Sequence, residues 1–248
     1  VRFTHAVGSK SFRLLKDKGG GLIVEQASLQ ERIDNAVAKH AMLSHPFYQA
    51  WSEGKLDREV IGKYAAQYYA HVKAFPTYVS AVHSRCDDVQ VRQLLLENLI
   101  EEERGGENHP ELWLRFAEGL DVSRREVQEA ELLPSTADSV ARLKSLTCND
   151  DYRVGIAALY AYESQIPEVA TTKRTGLKDF YGIDEARAIS FFTVHEDADL
   201  VHRQSEMSVL KKKCVAVQDE EAVVNAAGQA AEALWDFLSG VQKAYLTA

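Results

Sequence analysis

Thr193-Val194-His195-Glu196-Asp197-Ala198-Asp199-Leu200-Val201-His202 places two histidines and an aspartate at i, i+4 and i+7. At about 3.6 residues per turn, all three side chains project from one face of a helix. Two imidazoles and a carboxylate suit a redox-active first-row metal. Glu196 and Asp197 fall on other faces, open to water. The stretch reads as one wall of a metal site, provided that other helices supply the remaining ligands. The competing reading is a surface helix with scattered charges.

Working outward, nearly the whole chain carries helical punctuation. Apolar residues recur at helical spacing over 29–43, and Pro46 opens a short helix over 45–52 at a position where its missing N–H costs nothing. A long helix is expected over 57–85, interrupted or kinked near Pro76, and another over 88–103. Gly105-Gly106 breaks the pattern and Pro110 restarts it. Ser123 with Glu126 forms a capping box. Further helices are expected over 135–146, 152–172, 176–181, 183–211 and 220–245. Period-2 alternation and Asn-Gly turns are nearly absent, so no strand is expected. The fold class predicted is an all-α bundle. Residues 1–27 read as a flexible N-terminal arm and 28–248 as a single helical domain.

Composition narrows the function. The 248 residues carry 29 basic and 37 acidic side chains, net −8, which argues against a nucleic-acid partner needing a basic face. No stretch is long and apolar enough to span a bilayer, so no membrane partner is expected. Cys86, Cys148 and Cys214 are far apart and odd in number. No zinc spacing or disulfide framework is visible, which points to a reducing, cytoplasmic setting.

Two more segments offer carboxylates. Glu102 and His109 are seven residues apart, two helical turns, but Gly105-Gly106 lies between them. The alternative there is a solvated acidic helix end, since Glu101, Glu102 and Glu103 are adjacent. Glu163 follows the segment Gly155-Ile156-Ala157-Ala158-Leu159-Tyr160-Ala161-Tyr162, apolar nearly all round and so expected to be buried. A buried carboxylate is costly unless it is paired or binds a metal, and a core pairing with Arg or Lys is the alternative. Together Glu102, His109, Glu163, His195, Asp199 and His202 divide naturally over two metals, of the kind that helical bundles hold as dinuclear iron or manganese. Zinc suits such a carboxylate-rich set less well. Tyr48, Tyr64, Tyr68, Tyr69, His71, Lys73, Tyr162 and Lys173 could line a pocket nearby. A phenol can be oxidised beside such a centre, and a desolvated lysine is a neutral amine nucleophile.

Five segments carry a resemblance: His45-Pro46-Phe47-Tyr48-Gln49-Ala50-Trp51, Tyr68 to Pro76, Ser84 to Asp88, Ala158 to Pro167 and Phe192 to Asp199. On these, from about residue 31 to 210, the chain resembles the family of the Chlamydia protein associating with death domains, related to the PqqC and TenA groups. The resemblance implies the haem-oxygenase-like bundle, of about seven core helices. It implies a dimetal oxygenase, Fe/Fe or Fe/Mn, that makes 4-aminobenzoate for folate from O2 and an external reductant. The six residues above match its metal ligands. The resemblance further implies that Tyr48 supplies the aromatic ring and Lys173 the nitrogen, in a self-consuming single turnover, and that the protein is a homodimer.

Two other functions stay open at this point. One is a multiple-turnover oxygenase acting on an external small substrate. The other is an interaction protein with a death-domain partner, which would not need His195, Asp199 or His202.

Overall fold

A computed structural model describes residues 12–16 and 22–246, apart from the side chains of 12–16, 22–26, 197 and 198. Two short strands, β1 (Phe12–Lys16) and β2 (Leu22–Gln26), pair antiparallel with Phe12 opposite Gln26 and Lys16 opposite Leu22. No strand was expected. The signal was the Gly19-Gly20-Gly21 run followed by the β-branched Ile23 and Val24. The rest of the predicted arm, 1–11 and 17–21, lies outside the described residues.

Everything that follows is helical, as expected. Ser28 and Glu31 close a capping box on α1 (Leu29–Ala38). The chain then runs through α2 (Pro46–Ser52), α3 (Arg58–Arg85), α4 (Val89–Glu103), α5 (His109–Gly119) and α6 (Arg124–Gln128). It continues through α7 (Pro134–Thr147), α8 (Tyr152–Glu163), α9 (Ile166–Tyr181), α10 (Ala186–Lys213) and α11 (Val217–Tyr245). The last helix packs along α7 and α8, while α10 packs against α5, α8 and α9, and α3 against α4, α5 and α7. The core between them is strongly aromatic, with Tyr48, Trp51, Tyr64, Trp113, Phe116 and Phe192 almost wholly enclosed. Among the described residues no helix is long and apolar enough to cross a membrane. All three cysteines are free.

Several boundaries differ from expectation: α1 ends at Ala38 rather than at 43, and two differences bear on the site. Helix α3 runs unbroken through Pro76, although proline cannot donate to the carbonyl one turn back. The helix expected over 152–172 breaks earlier, at Ser164 and Gln165, and α9 then continues through the supposed gap at 173–175. Pro167 sits in the first turn of α9, where it needs no donor. Gly176 does not end a helix; it admits a neighbour. A Cβ there would lie 2.8 Å from Trp51 Cδ1. That close approach of α2 to α9 leaves Lys173 buried, only 4% exposed.

Candidate metal centre

The stripe on α10 faces inward. His195, Asp199 and His202 are all buried. Three further helices bring side chains to it. Glu102 ends α4 and His109 begins α5, both buried. The helix does not run through between them. It stops at Glu103, turns over Gly105 at φ +80°, and restarts with Asn108 as N-cap, its side chain accepting from the Glu111 N–H. Glycine takes that left-handed backbone without steric cost. Glu163, the last residue of α8, completes the set.

The six residues sort into two groups, Glu102 with His109 and His195, and Glu163 with Asp199 and His202. Within each group, one donor atom per residue lies within 4.8 Å of the others. Glu102 Oε1 stands 2.8 Å from His109 Nδ1, yet that nitrogen has no hydrogen-bond partner of acceptable geometry. The His109 and His195 rings are 4.3 Å apart. His195 Nδ1 is 2.6 Å from the Phe191 carbonyl; its N–H donates there and leaves Nε2 with its lone pair. In the second group, His202 Nδ1 is 3.1 Å from Glu163 Oε1 and 3.7 Å from Asp199 Oδ1. Asn98 Nδ2 donates to Glu163 Oε1 at 2.9 Å.

The electrostatics would suit a bound cation. Burial, reinforced by Glu163, raises the Glu102 carboxyl well above its usual range. Burial raises Asp199 to about 6. Burial also opposes the charged form of Glu163, but hydrogen bonds, led by that from His202, outweigh it and hold this carboxyl low. His195 and His109 are pushed down to about 4, chiefly by burial. His202 goes the other way, to about 10: burial opposes its charge, and Asp199 and Glu163 overcome that penalty. Protons therefore occupy the role of a cation among crowded carboxylates. Glu163 Oε2, Asp199 Oδ2 and His109 Nδ1 are buried with no hydrogen-bond partner among the described residues. Unsatisfied buried oxygens and nitrogens of this kind fit a carboxylate–imidazole metal.

A second cluster lies behind the first. Lys173 Nζ donates to the Tyr64 hydroxyl at 2.6 Å, and Tyr64 shares a 2.8 Å hydrogen bond with Tyr48. The ammonium position is 4.6 Å from the Tyr48 ring centre and 4.8 Å from that of Tyr68. Burial alone holds Lys173 well below its ordinary pKa. Tyr68 and Tyr162, hydroxyls 2.8 Å apart, join the two clusters. Both line a cavity of about 20 Å³ together with Glu102, His109, Glu163, His195 and Asp199, while Tyr68 stacks on Tyr64 at 5.5 Å.

Of the other expected pocket residues, His71 is wholly buried against Tyr68 and Phe237, and neither ring nitrogen has a hydrogen-bond partner among the described residues. Tyr69 is partly buried and Lys73 is exposed; neither lines this cavity. Glu196 pairs with Arg174, and the side chain of Asp197 lies outside the described residues. Sequence reasoning missed Glu101, 3.2 Å from His202 Nε2, and the buried Glu206. Glu206 continues the α10 stripe at i+4 from His202, a readable signal. Glu101 carries no signal that separates it from Glu103. A much larger groove, about 860 Å³ between α1, α8, α9 and α10, contains none of the six.

Residues 62–235 match the family described as iron-containing redox enzyme. A 4-aminobenzoate synthase of Chlamydia pneumoniae is 43% identical over 84% of this chain and 92% of its own length. One from Nitrosomonas europaea is 39% identical over 88% of this chain and 92% of its own. In fold, a CADD-like protein of unknown function from Nostoc punctiforme superposes with a TM-score of 0.74 at 17% identity, covering 88% of this chain and 97% of that one. With a family match across most of its length and close relatives covered nearly end to end, this chain belongs to the iron-containing redox enzymes of haem-oxygenase-like fold.

Proposed function

We propose that this chain is a dimetal oxygenase that forms 4-aminobenzoate, with its own Tyr48 as ring source and Lys173 as nitrogen donor. The observation that carries the reading is the seat of Lys173. A buried amine, without a carboxylate partner among the described residues, stands over the Tyr48 ring and bonds to the hydroxyl that holds the Tyr48 phenol. The names of the relatives at 43% and 39% identity support the product.

Glu102, His109 and His195 would hold one ion, and Glu163, Asp199 and His202 the other. Bound iron, alone or with manganese, supplies O2-activating redox chemistry that draws on an external reductant. The remaining work falls to the chain. Burial favours the neutral form of Lys173, whose lone pair is then free for attack. Tyr64 is placed to exchange protons with both the amine and the Tyr48 phenol. Trp51, Trp113 and Phe192 enclose the amine and exclude water. The atoms balance as follows: the ring and Cβ are kept, Cα–Cβ breaks, and O2 with the external reductant would carry Cβ to a carboxyl; the amine condenses at the oxidised ring carbon with the phenolic oxygen leaving as water, and Lys173 Cε–Nζ then breaks by hydrolysis, with Cε leaving as an aldehyde.

The test is to load the protein with iron or iron plus manganese, add O2 and reductant, and assay 4-aminobenzoate from protein carrying ring-labelled tyrosine. Labelled product, at no more than one per chain and with mass lost at Tyr48, is expected. Unlabelled product, or normal yield from Tyr48→Phe, would refute the self-consuming route. Repeated turnover with Tyr48 intact would instead mark an oxygenase acting on an external substrate.

A further inference from the structure

We propose that the cleft between α4 and α10 is the path by which a divalent cation reaches the Glu163–Asp199–His202 group, with Glu206 as the carboxylate that receives it. The inference rests on the metal-centre reading above and adds a transit site to it. Glu206 lies one turn beyond His202 on α10 and is only 6% exposed. Among the described residues no side chain other than Glu163, itself a carboxyl, hydrogen-bonds it. A bare buried carboxylate is strongly disfavoured and calls for a proton or a cation.

The cleft, of about 70 Å³, has room for a few waters. Its polar lining comes from Glu97, Asn98 and Glu101 on α4 and from His202, Ser205 and Glu206 on α10, with aliphatic walls between. Glu97 and Glu101 are exposed and one helical turn apart, while Asn98 and Glu206 are buried. No lysine or arginine lines it. Oxygens are therefore available from the surface inward: Glu97 and Glu101, then the unpartnered Asn98 Oδ1 and Glu206, which reaches Glu163, then Glu163 and Asp199. Oxygen ligands suit a cation shedding its water in steps, and the acidic mouth at Glu97 and Glu101, set between apolar walls, concentrates the field that draws it in.

The alternative approaches are poorer. Every residue lining the 20 Å³ inner cavity is buried, and the 860 Å³ groove touches none of the six candidate ligands. Glu206 is not among the three donors that converge in its half of the centre. It is placed to pass a cation on rather than to keep it.

The experiment follows Mn2+ uptake by the metal-free full chain in a stopped-flow instrument, from the loss of free Mn2+ to a competing fluorescent chelator. Glu206→Gln removes the charge and keeps the size. One of two uptake phases is expected to slow by roughly tenfold at low salt, while the final Mn2+ content and affinity match wild type. The exposed pair Glu97→Gln with Glu101→Gln, at positions where folding is not at stake, is expected to slow the same phase and flatten its salt dependence. Uptake at wild-type rate in both variants would overturn the proposal. So would lost affinity at an unchanged rate in Glu206→Gln, which would make Glu206 a resident ligand. Wild-type protein that holds no Mn2+ or Fe2+ would refute the metal centre itself, a distinct result.

Discussion

His195 Nδ1 stands 2.6 Å from the carbonyl of Phe191, one turn earlier on the same helix. The helix backbone thereby selects the imidazole tautomer and aims Nε2 away from its own axis. Removing the ring removes one of three donors in the Glu102–His109–His195 group and leaves the other group untouched. His195→Ala is expected to bind roughly one iron or manganese ion where wild type binds roughly two. Elemental analysis of purified protein checks this. Two ions retained in the variant would refute the assignment.

The Tyr64 hydroxyl bonds both Lys173 and Tyr48, and on the proposed route it would be the hub between donor and ring. Tyr64→Phe keeps the ring in the core and removes only that junction. A stability loss of about 1 kcal/mol is expected, with unchanged metal content and a large fall in 4-aminobenzoate yield. A yield equal to wild type would remove Tyr64 from the chemistry.

Lys173 gives a pH prediction with a definite sign. In the unfolded chain it titrates near 10.4; in the fold, burial holds it well below that. Between the two values the unfolded state binds more protons, so stability rises with pH across this window. The penalty is full below the folded value and absent above the unfolded one. Lys173→Met is therefore expected to melt higher than wild type at low pH, with the advantage shrinking as pH approaches about 10.4. Paired melting curves across that range decide it; an advantage independent of pH would be inconsistent with a depressed lysine.

Gly176→Ala should destabilise the fold by about 1–3 kcal/mol, the usual cost of overpacking. The added methyl would meet Trp51 Cδ1 at 2.8 Å, with the Trp51 carbonyl behind it at 3.3 Å. Denaturant unfolding measures the cost. A neutral result would mean that α2 moves freely on α9.

Ions that bind only the folded chain stabilise it by mass action. With free metal at about 100 times its dissociation constant, each site adds about 2.7 kcal/mol. Loading with Fe2+ under anaerobic conditions is expected to raise the melting temperature, and a chelator to reverse it. No shift on loading would argue against a site formed by the fold.

The sequence carried the α10 stripe because its spacing repeats the helical turn, and it carried Glu163 because the segment before it is apolar on every side. The pairing of Glu102 with His109 was legible as composition and not as geometry: two turns of one helix were the simple route, and the structure uses two helices joined at Gly105. The break at Ser164 was hidden because both flanks read as helix, and proline in a first turn looks from sequence much like proline within a helix, as at Pro76. Glu101 was lost inside a run of like charges. Its neighbour Glu102 is buried and Glu103 exposed, a distinction that only packing makes.

Tyr48 is 1% exposed, among the most enclosed side chains of the bundle. A protein that spends this ring as its substrate dismantles its own core. Loss of a buried aromatic costs about 3–5 kcal/mol, a large part of the total stability of an ordinary domain. On the proposed self-consuming route the spent chain would thus be marked for unfolding and proteolysis, and the loosening that marks it would also open a way out for the product. Supply of the product would then be set by the rate of protein synthesis, and the lifetime of each molecule would end with its reaction.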